Sequence, residues 1–416
     1  MTALSCILPL VLLLSACSGP KPPTNVLLIV LDTSRWDHLQ AYGYDRPTTP
    51  NILALAQQGA VFEQAHGHTG WTGPSMASLM TSLTPRDHGL LQWETPLADE
   101  HTTLAEVLRS QGYQTHAVVS HFVFQPKLGF DQGFDTYDIS ALDKGSPHRT
   151  ATSQEVTDKA LATIEGRDPA RPWLLWAHYF DPHSEYLAHE GHDFGATPMD
   201  RYDSELAFTD EHVGRLLDTL RKRGDLDNTW IVLTADHGEE FRDHGGTQHS
   251  GELYEELVHV PLLIVGPGVQ PQRVPAVVRN SDLAPTLLSL LGVPAPEAFT
   301  GQAIPLEQGR FTPLDRPVYL EVERHGDKRG LIEGSLKVIR DLETGNVQLF
   351  DLGTDPEELT NLASRFPVVA EQMLDRLDSH FAQPGFHQAP RELSAEERQR
   401  LELLGYLERS EEAAAP

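Results

Sequence analysis

Trp230-Ile231-Val232-Leu233-Thr234-Ala235-Asp236-His237-Gly238-Glu239 opens as an apolar, β-branched run and closes on a carboxylate and an imidazole. A run this short and this rich in β-branched residues reads as a buried strand rather than a helix. Far upstream, Asn25-Val26-Leu27-Leu28-Ile29-Val30-Leu31 has the same texture and stops on Asp32. Working outward, residues 115–119, 173–177 and 261–265 repeat the pattern. Between these strands lie amphipathic stretches at 49–58, 102–111, 153–164 and 204–221, with Gly59, Gly112 and Gly224 just past three of them as helix stops. Near-continuous apolar strands alternating with helices predict an α/β fold: a mostly parallel central sheet covered by helices on both faces.

Past Ile304 the texture changes. Short alternating strands at 318–322, 331–332, 336–340 and 347–352 follow, the last two joined across Leu342-Glu343-Thr344-Gly345-Asn346, a hairpin turn. These predict a small C-terminal antiparallel subdomain over 304–365, after a main domain over 25–303. A helical tail over 366–416 should follow, in which Ser394 and Glu397 form a capping box and Gly405 stops the helix.

The chain has 416 residues and a formal net charge of -28. Length allows one large α/β domain with an appendage. The acidic balance argues against a nucleic-acid binder, which needs basic patches to track phosphates. It is equally what a well-solvated surface requires. An acidic protein that takes an anionic substrate must find its positive charge locally, and a metal ion is the economical source.

Residues 1–16 read as a signal peptide. The apolar core at 7–14 is too short to span a bilayer and resembles a secretory h-region, although Met1 to Cys6 carry no Lys or Arg. Leu14-Ser15-Ala16-Cys17 looks like a bacterial lipobox, which implies cleavage before Cys17, a lipid on its thiol and a tether over 17–24. The expected location is membrane-anchored, facing the periplasm or the cell surface. Cys6 and Cys17 are the only cysteines. The mature domain then has no thiol for a disulfide, a thiolate metal site or a nucleophile.

Ligands gather at the carboxyl ends of strands in doubly wound sheets, and both Asp32 and Asp236-His237 fall at such ends. An aspartate there is often only a turn or cap residue; two strand ends carrying such groups point further. Carboxylate oxygens with one imidazole suit Ca²⁺, Mn²⁺ or Zn²⁺, the nitrogen favouring the last two. Thr72, in Trp71-Thr72-Gly73-Pro74-Ser75-Met76, precedes a helix-compatible run, and Pro74 suits a first turn. A hydroxyl near a helix N-cap either caps that helix or, with the free N–H groups and the dipole, faces an anion.

Leu31-Asp32-Thr33-Ser34-Arg35, Tyr42-Gly43-Tyr44-Asp45, Arg46-Pro47-Thr48-Thr49-Pro50-Asn51 and Trp71-Thr72-Gly73-Pro74-Ser75 together resemble the N-terminal half of the sulfatase family. His178-Tyr179-Phe180-Asp181-Pro182-His183, Ala235-Asp236-His237-Gly238-Glu239 and Leu253-Tyr254-Glu255-Glu256 continue the match. Phe350-Asp351-Leu352-Gly353-Thr354-Asp355-Pro356-Glu357-Glu358 resembles the family's C-terminal signature. The resemblance covers nearly the whole mature chain. It implies an alkaline-phosphatase-like architecture and metal-dependent cleavage of sulfate or phosphate esters. It also implies Asp32, Asp236 and His237 as metal ligands, and Thr72 as both ligand and nucleophile. His183 then touches the substrate anion or leaving group, as His249 does where the family places a cationic or imidazole contact; His178 is a further candidate.

Departures from the family pattern narrow the chemistry. Sulfatases carry Cys or Ser at position 72, oxidised to formylglycine; threonine, a secondary alcohol, cannot yield that aldehyde. The following Arg of the motif is Met76, the tandem Asp-Asp is Asp32-Thr33, and the usual Asp-Asn is Asp236-His237. The substrate-clamp lysine has no clean counterpart, with Lys127 as a displaced remnant. A second ion would draw on Asp181, His183 and His249. The expectation is a hydrolase of a small anionic ester, a phosphate mono- or diester favoured over sulfate, acting through Thr72. The alternatives are a true sulfuric ester hydrolase and a catalytically silent anion-binding lipoprotein. Long loops at 143–149 and 189–201 are expected to shape the pocket.

Overall fold

A computed structural model describes residues 24–143, 151–183, 185–249, 251–312, 316–324, 326–388, 390–395 and 397–399. The leader, Cys17, most of the 143–149 loop and Gly405 lie outside the described residues. Among the described residues, no helix is long and apolar enough to cross a membrane.

The chain runs β1 (Asn25–Leu31), α1 (Pro50–Ala56), β2 (Ala60–His66), α2 (Thr72–Thr81), α3 (Pro85–His88), α4 (Leu104–Ser110), β3 (Gln114–Val118), β4 (Thr136–Asp138), α5 (Ser153–Gly166) and β5 (Trp173–Tyr179). It continues with α6 (Pro198–Arg223), β6 (Thr229–Thr234), β7 (Glu240–Phe241), β8 (Thr247–Gln248), α7 (Glu255–Val258), β9 (His259–Val265), β10 (Gln272–Arg279) and α8 (Leu283–Leu291). Last come β11 (Leu306–Glu307), β12 (Arg310–Phe311), β13 (Val318–Val322), β14 (Lys328–Glu333), β15 (Leu336–Asp341), β16 (Val347–Asp351) and α9 (Pro367–Phe381).

The central sheet has the order β10-β2-β9-β6-β1-β5-β3-β4, and β9 alone runs against its neighbours. Along β1, Val26, Leu28 and Val30 enter one apolar core while Leu27, Ile29 and Leu31 enter the other. That is the strand period of two with both faces covered, and it explains an apolar run without polar alternation. β1 lies between β5 on one side and β6 on the other, all three parallel, so their carboxyl ends surround one crevice.

β13 to β16 form a four-stranded antiparallel meander against which α9 packs. Ser394 and Glu397 form the expected capping box, Ser394 N donating to Glu397 Oε2 at 2.8 Å and Glu397 N to Ser394 Oγ at 3.3 Å.

Several elements differ from expectation. β2, β4 and β10 were not foreseen: β2 carries Glu63-Gln64, and β10 carries Pro275 and sits at the sheet's edge, where a missing N–H is tolerated. Helix α6 begins at Pro198 behind a Thr197–Asp200 capping box, so the expected 189–201 loop gives up its end to the helix. Gly112 and Gly224 take left-handed backbones as helix stops, whereas α1 ends earlier, at Ala56.

Candidate active site

β1 and β6 are paired with Val30 opposite Thr234, which sets Asp32 beside Asp236 and His237 although they are some two hundred residues apart in sequence. Two local devices hold these ends. Thr33 adopts a left-handed backbone, φ 50°, a strained conformation for a β-branched residue. Its N–H donates to Asp236 Oδ1 at 3.2 Å, and its carbonyl accepts from the Tyr202 hydroxyl at 2.8 Å. Gly238 must be glycine because a Cβ there would collide with the Glu256 carbonyl.

The loop after β2 delivers α2 to the same crevice. Trp71, not Thr72, is the cap residue, and its side chain makes no cap bond; Thr72 is the first helical residue. Its hydroxyl is therefore not spent on capping and lies 3.1 Å from His237 Nε2. Ser75 ties the helix to the site, its Oγ donating to the Asp236 carbonyl at 2.5 Å while Asn280 Nδ2 donates to Ser75 O and Oγ at 3.0 Å each.

The electrostatics ask for a cation. Asp32, Thr72, Asp236, His237 and Glu239 are all buried. Both Asp32 carboxylate oxygens and Asp236 Oδ2 have no hydrogen-bond partner. Burial, and then the charges of Asp236 and Glu239, push the Asp32 carboxyl well above its ordinary range. His237 Nδ1 sits 2.8 Å from the Gly238 carbonyl and so carries the proton. Its Nε2 lone pair is thereby aimed at Asp236 Oδ2, 3.4 Å away, and Asp32 Oδ1, 4.0 Å away. Orphaned carboxylate oxygens, an imidazole lone pair and a hydroxyl converging on one point fit a divalent ion.

A second group, His66, Glu255 and His259, has metal-like spacing. Its charge is already met: Glu255 Oε1 takes the Lys337 ammonium at 2.9 Å, and Oε2 faces His66 at 3.1 Å and His259 at 3.3 Å. Burial opposes ionisation of Glu255, yet Lys337 and His66 outweigh it and hold the carboxyl well below its usual range. That cluster is an ion pair rather than an ion site.

Imidazoles line the rest of the crevice. His178, at the end of β5, has Nε2 3.4 Å from Asp32 Oδ2 without a hydrogen bond, and burial pushes it down to about 4. His183 stacks on Phe180 and meets the ring of His249 at 4.8 Å between centroids; His249 lies 4.5 Å from His237. Thr72, His183, His249, Asp32, Asp236 and His237 are thus brought into one crevice.

Two expectations fail. The Asp181 carboxylate accepts from Thr152 N, Thr152 Oγ1 and Ser153 N at 2.6, 2.7 and 2.8 Å, so it caps α5 and cannot serve a second ion. Lys127 pairs at the surface with Glu397 and is no remnant of a substrate clamp.

Sequence reasoning gave no role to Glu239, though the quoted Asp-His-Gly-Glu run ends on it. Its Oε1 lies 2.9 Å from His249 Nδ1, its Oε2 accepts from the Tyr186 hydroxyl at 2.8 Å, and burial pushes it up to about 8. Arg324, delivered by the C-terminal sheet, lies over the rings of Trp93 and Trp71 at 4.4 and 5.6 Å. Nothing local in the sequence marks it.

The profile of the family described as Sulfatase matches residues 24–293, and that described as N-sulphoglucosamine sulphohydrolase, C-terminal, matches residues 249–383. Among curated relatives, arylsulfatase K of Bos taurus is 32% identical, covering 86% of this chain and 82% of its own. The choline-sulfatase of Rhizobium meliloti is 26% identical over 89% of each. Among solved structures, one in complex with its substrate, a disulfated D-glucosamine, superposes with a TM-score of 0.75 at 19% identity, covering 86% of this chain and 98% of that one. The phosphonate monoester hydrolase of Agrobacterium radiobacter gives 0.72 at 22% identity, covering 86% and 96%.

Proposed function

This chain belongs to the sulfatase family and is a sulfatase-like ester hydrolase, and from that premise we propose that it cleaves a phosphate mono- or diester with Thr72 as direct nucleophile. The observation that carries the reading is the Thr72 hydroxyl, uncommitted to capping and 3.1 Å from His237 Nε2. A secondary alcohol cannot become the formylglycine that sulfate-cleaving relatives need, so the hydroxyl itself must attack. The fold leaves both chemistries open, since its neighbours include a complex with a disulfated sugar and a protein named for phosphonate monoesters.

Asp32, Asp236, His237 and Thr72 would hold one divalent ion, Mn²⁺ or Zn²⁺ favoured over Ca²⁺ by the nitrogen donor, which when bound supplies positive charge for the transferring group. The first N–H groups of α2 have no intrahelical partner and face the same charge. Thr72 Oγ1 attacks phosphorus in line, a step whose catalysis is mostly positioning and electrostatics. Thr33, bonded to Asp236, and Gly238, close against the Glu256 carbonyl, hold the two strand ends in place. His183 or His249 gives a proton to the leaving oxygen, and water then resolves the phosphothreonine.

A sulfate-ester reading is favoured by the names of the relatives, choline-sulfatase and arylsulfatase K. One experiment separates the two. The domain from Ser18 onward is loaded with Mn²⁺, Zn²⁺ or Ca²⁺ and given matched aryl sulfate, phosphate and phosphodiester substrates, with Thr72→Ala as blank. Metal-dependent phosphoryl cleavage that vanishes in the variant is expected. Cleavage of sulfate alone would overturn the phosphate preference, and silence on all three would leave an anion-binding lipoprotein. Export and lipid anchoring at Cys17 belong to the same proposal; labelled palmitate should enter the wild type and not Cys17→Ala.

A further inference from the structure

Glu239 is buried, and both of its carboxylate oxygens are committed. Oε2 accepts from the Tyr186 hydroxyl, whose ring is packed between Tyr202 and Phe241 at 5.6 and 5.4 Å. Oε1 faces His249 Nδ1 at 2.9 Å. The Arg35 guanidinium donates to the Glu239 backbone carbonyl at 3.1 Å, which fixes the main chain at the base of the side chain. On the histidine side, Gln248 has a left-handed backbone, φ 70°, directly before His249, at the end of the β7–β8 hairpin. Non-glycine residues take that conformation only where the surroundings enforce it, and such strain gathers where a side chain must be aimed. The ring so aimed lies 4.5 Å from His237, whose Nε2 is 3.1 Å from the Thr72 hydroxyl.

We propose that Glu239, held by Tyr186, is a positioning residue that fixes His249 through Nδ1, so that Nε2 of His249 delivers the proton to the leaving alcohol. The inference rests on the Thr72 hydrolase reading and decides between the two histidines left open there. Thr72 Oγ1, its proton already released to solvent, forms a bond to phosphorus. The bond from phosphorus to the leaving oxygen breaks, and that oxygen keeps the pair and takes the Nε2 proton of His249. In the second half, water gives a proton to Nε2 as its oxygen attacks phosphorus and the Thr72 Oγ1–phosphorus bond breaks. A carboxylate that orients an imidazole through one nitrogen so that the other transfers protons is a recurring device.

The leaving group supplies the test. A nitrophenolate departs almost unaided, whereas an alkoxide needs its proton during bond breaking. Wild type, Glu239→Gln, Tyr186→Phe, His249→Gln and the Glu239→Gln/His249→Gln double variant are compared over esters of graded alcohol acidity, with metal content measured for each. Glu239→Gln should lose about threefold in kcat/KM on the nitrophenyl ester and about a hundredfold on the alkyl ester. The double variant should be no slower than His249→Gln. Nitrogen-15 spectra of metal-free protein recorded well above pH 8, where the Glu239 carboxyl is ionised, should show His249 protonated at Nδ1 in wild type and a mixture of tautomers in Glu239→Gln. A loss of equal size across the series, or additive losses in the double variant, would overturn the pairing while leaving the hydrolase reading in place. Wild-type silence towards every ester would remove the hydrolase reading and this proposal with it.

Discussion

His88 lies beneath the helix that carries Thr72. Its Nε2 is 3.1 Å from the Pro74 carbonyl and 3.2 Å from Ser78 Oγ, while its Nδ1 accepts from Leu90 N at 3.1 Å. Nδ1 is thus an obligate acceptor, and a second ring proton would face an N–H. Burial, aided by His101, pushes the group down to about 3. Because the folded value lies below the unfolded one, stability is fully present above the unfolded value and is lost as pH falls from there toward the folded value. The loss should reach roughly 2 kcal/mol by about pH 5. His88→Gln, which keeps a donor near the Nε2 position, should flatten the fall in Tm between pH 7 and 5; an unchanged slope would exclude His88 as its source. At this scale, the ligand candidates Asp32, Asp236 and His237 were legible because each ends an apolar run. The Glu239–His249 pair was not, because only the strained β7–β8 hairpin brings the two together. Lys127 misled, since a lysine's reach says nothing about which carboxylate it finds.

At the level of elements, α2 depends less on its own propensity than on its ties. It is buried throughout, and Ser75 joins it to the backbone of Asp236. Ser75→Ala should leave the circular dichroism spectrum unchanged but weaken metal binding about tenfold, as losses just outside a ligand set do. Calorimetric metal titration reads this directly, and unchanged affinity would mean that Asn280 alone suffices. β1 and β6 could be read from sequence because a strand buried on both faces has no polar interruptions. β2 and β10 could not: Glu63-Gln64 and Pro275 break their patterns, and only pairing with β9 and with each other makes them strands.

Over the whole molecule, the two sheets are joined by a buried ion cluster. Lys337, on β15, is fully buried and places its ammonium 2.9 Å from both Glu255 Oε1 and Glu358 Oε1. Glu358 Oε2 in turn accepts from Glu255 N at 2.6 Å. Removing the lysine strands two carboxylates in the interior, so Lys337→Met should cost about 3–5 kcal/mol in denaturant unfolding. Adding Glu255→Gln should recover part of that, and if it recovers nothing the cluster is not acting through charge. The sheets themselves were legible, one from apolar runs and the other from alternation and a hairpin turn. The clip between them was not, because neither the family-like Tyr254-Glu255-Glu256 nor Lys337 indicates which partner it meets.

The pairing of β1 with β6 has a consequence in time. Asp32 emerges early in synthesis, but Asp236 and His237 follow only after β5 and α6 have been made, and the ion site proposed above draws on all three. A nascent chain therefore offers no complete site to scavenge metal, and loading must come after the long-range contact has closed. Once loaded, an ion at a hundred times its dissociation constant adds about 2.7 kcal/mol to the folded state alone. Occupancy then reports completed assembly, and a cell short of that metal would accumulate a protein that is finished as a sequence yet easier for proteases to open.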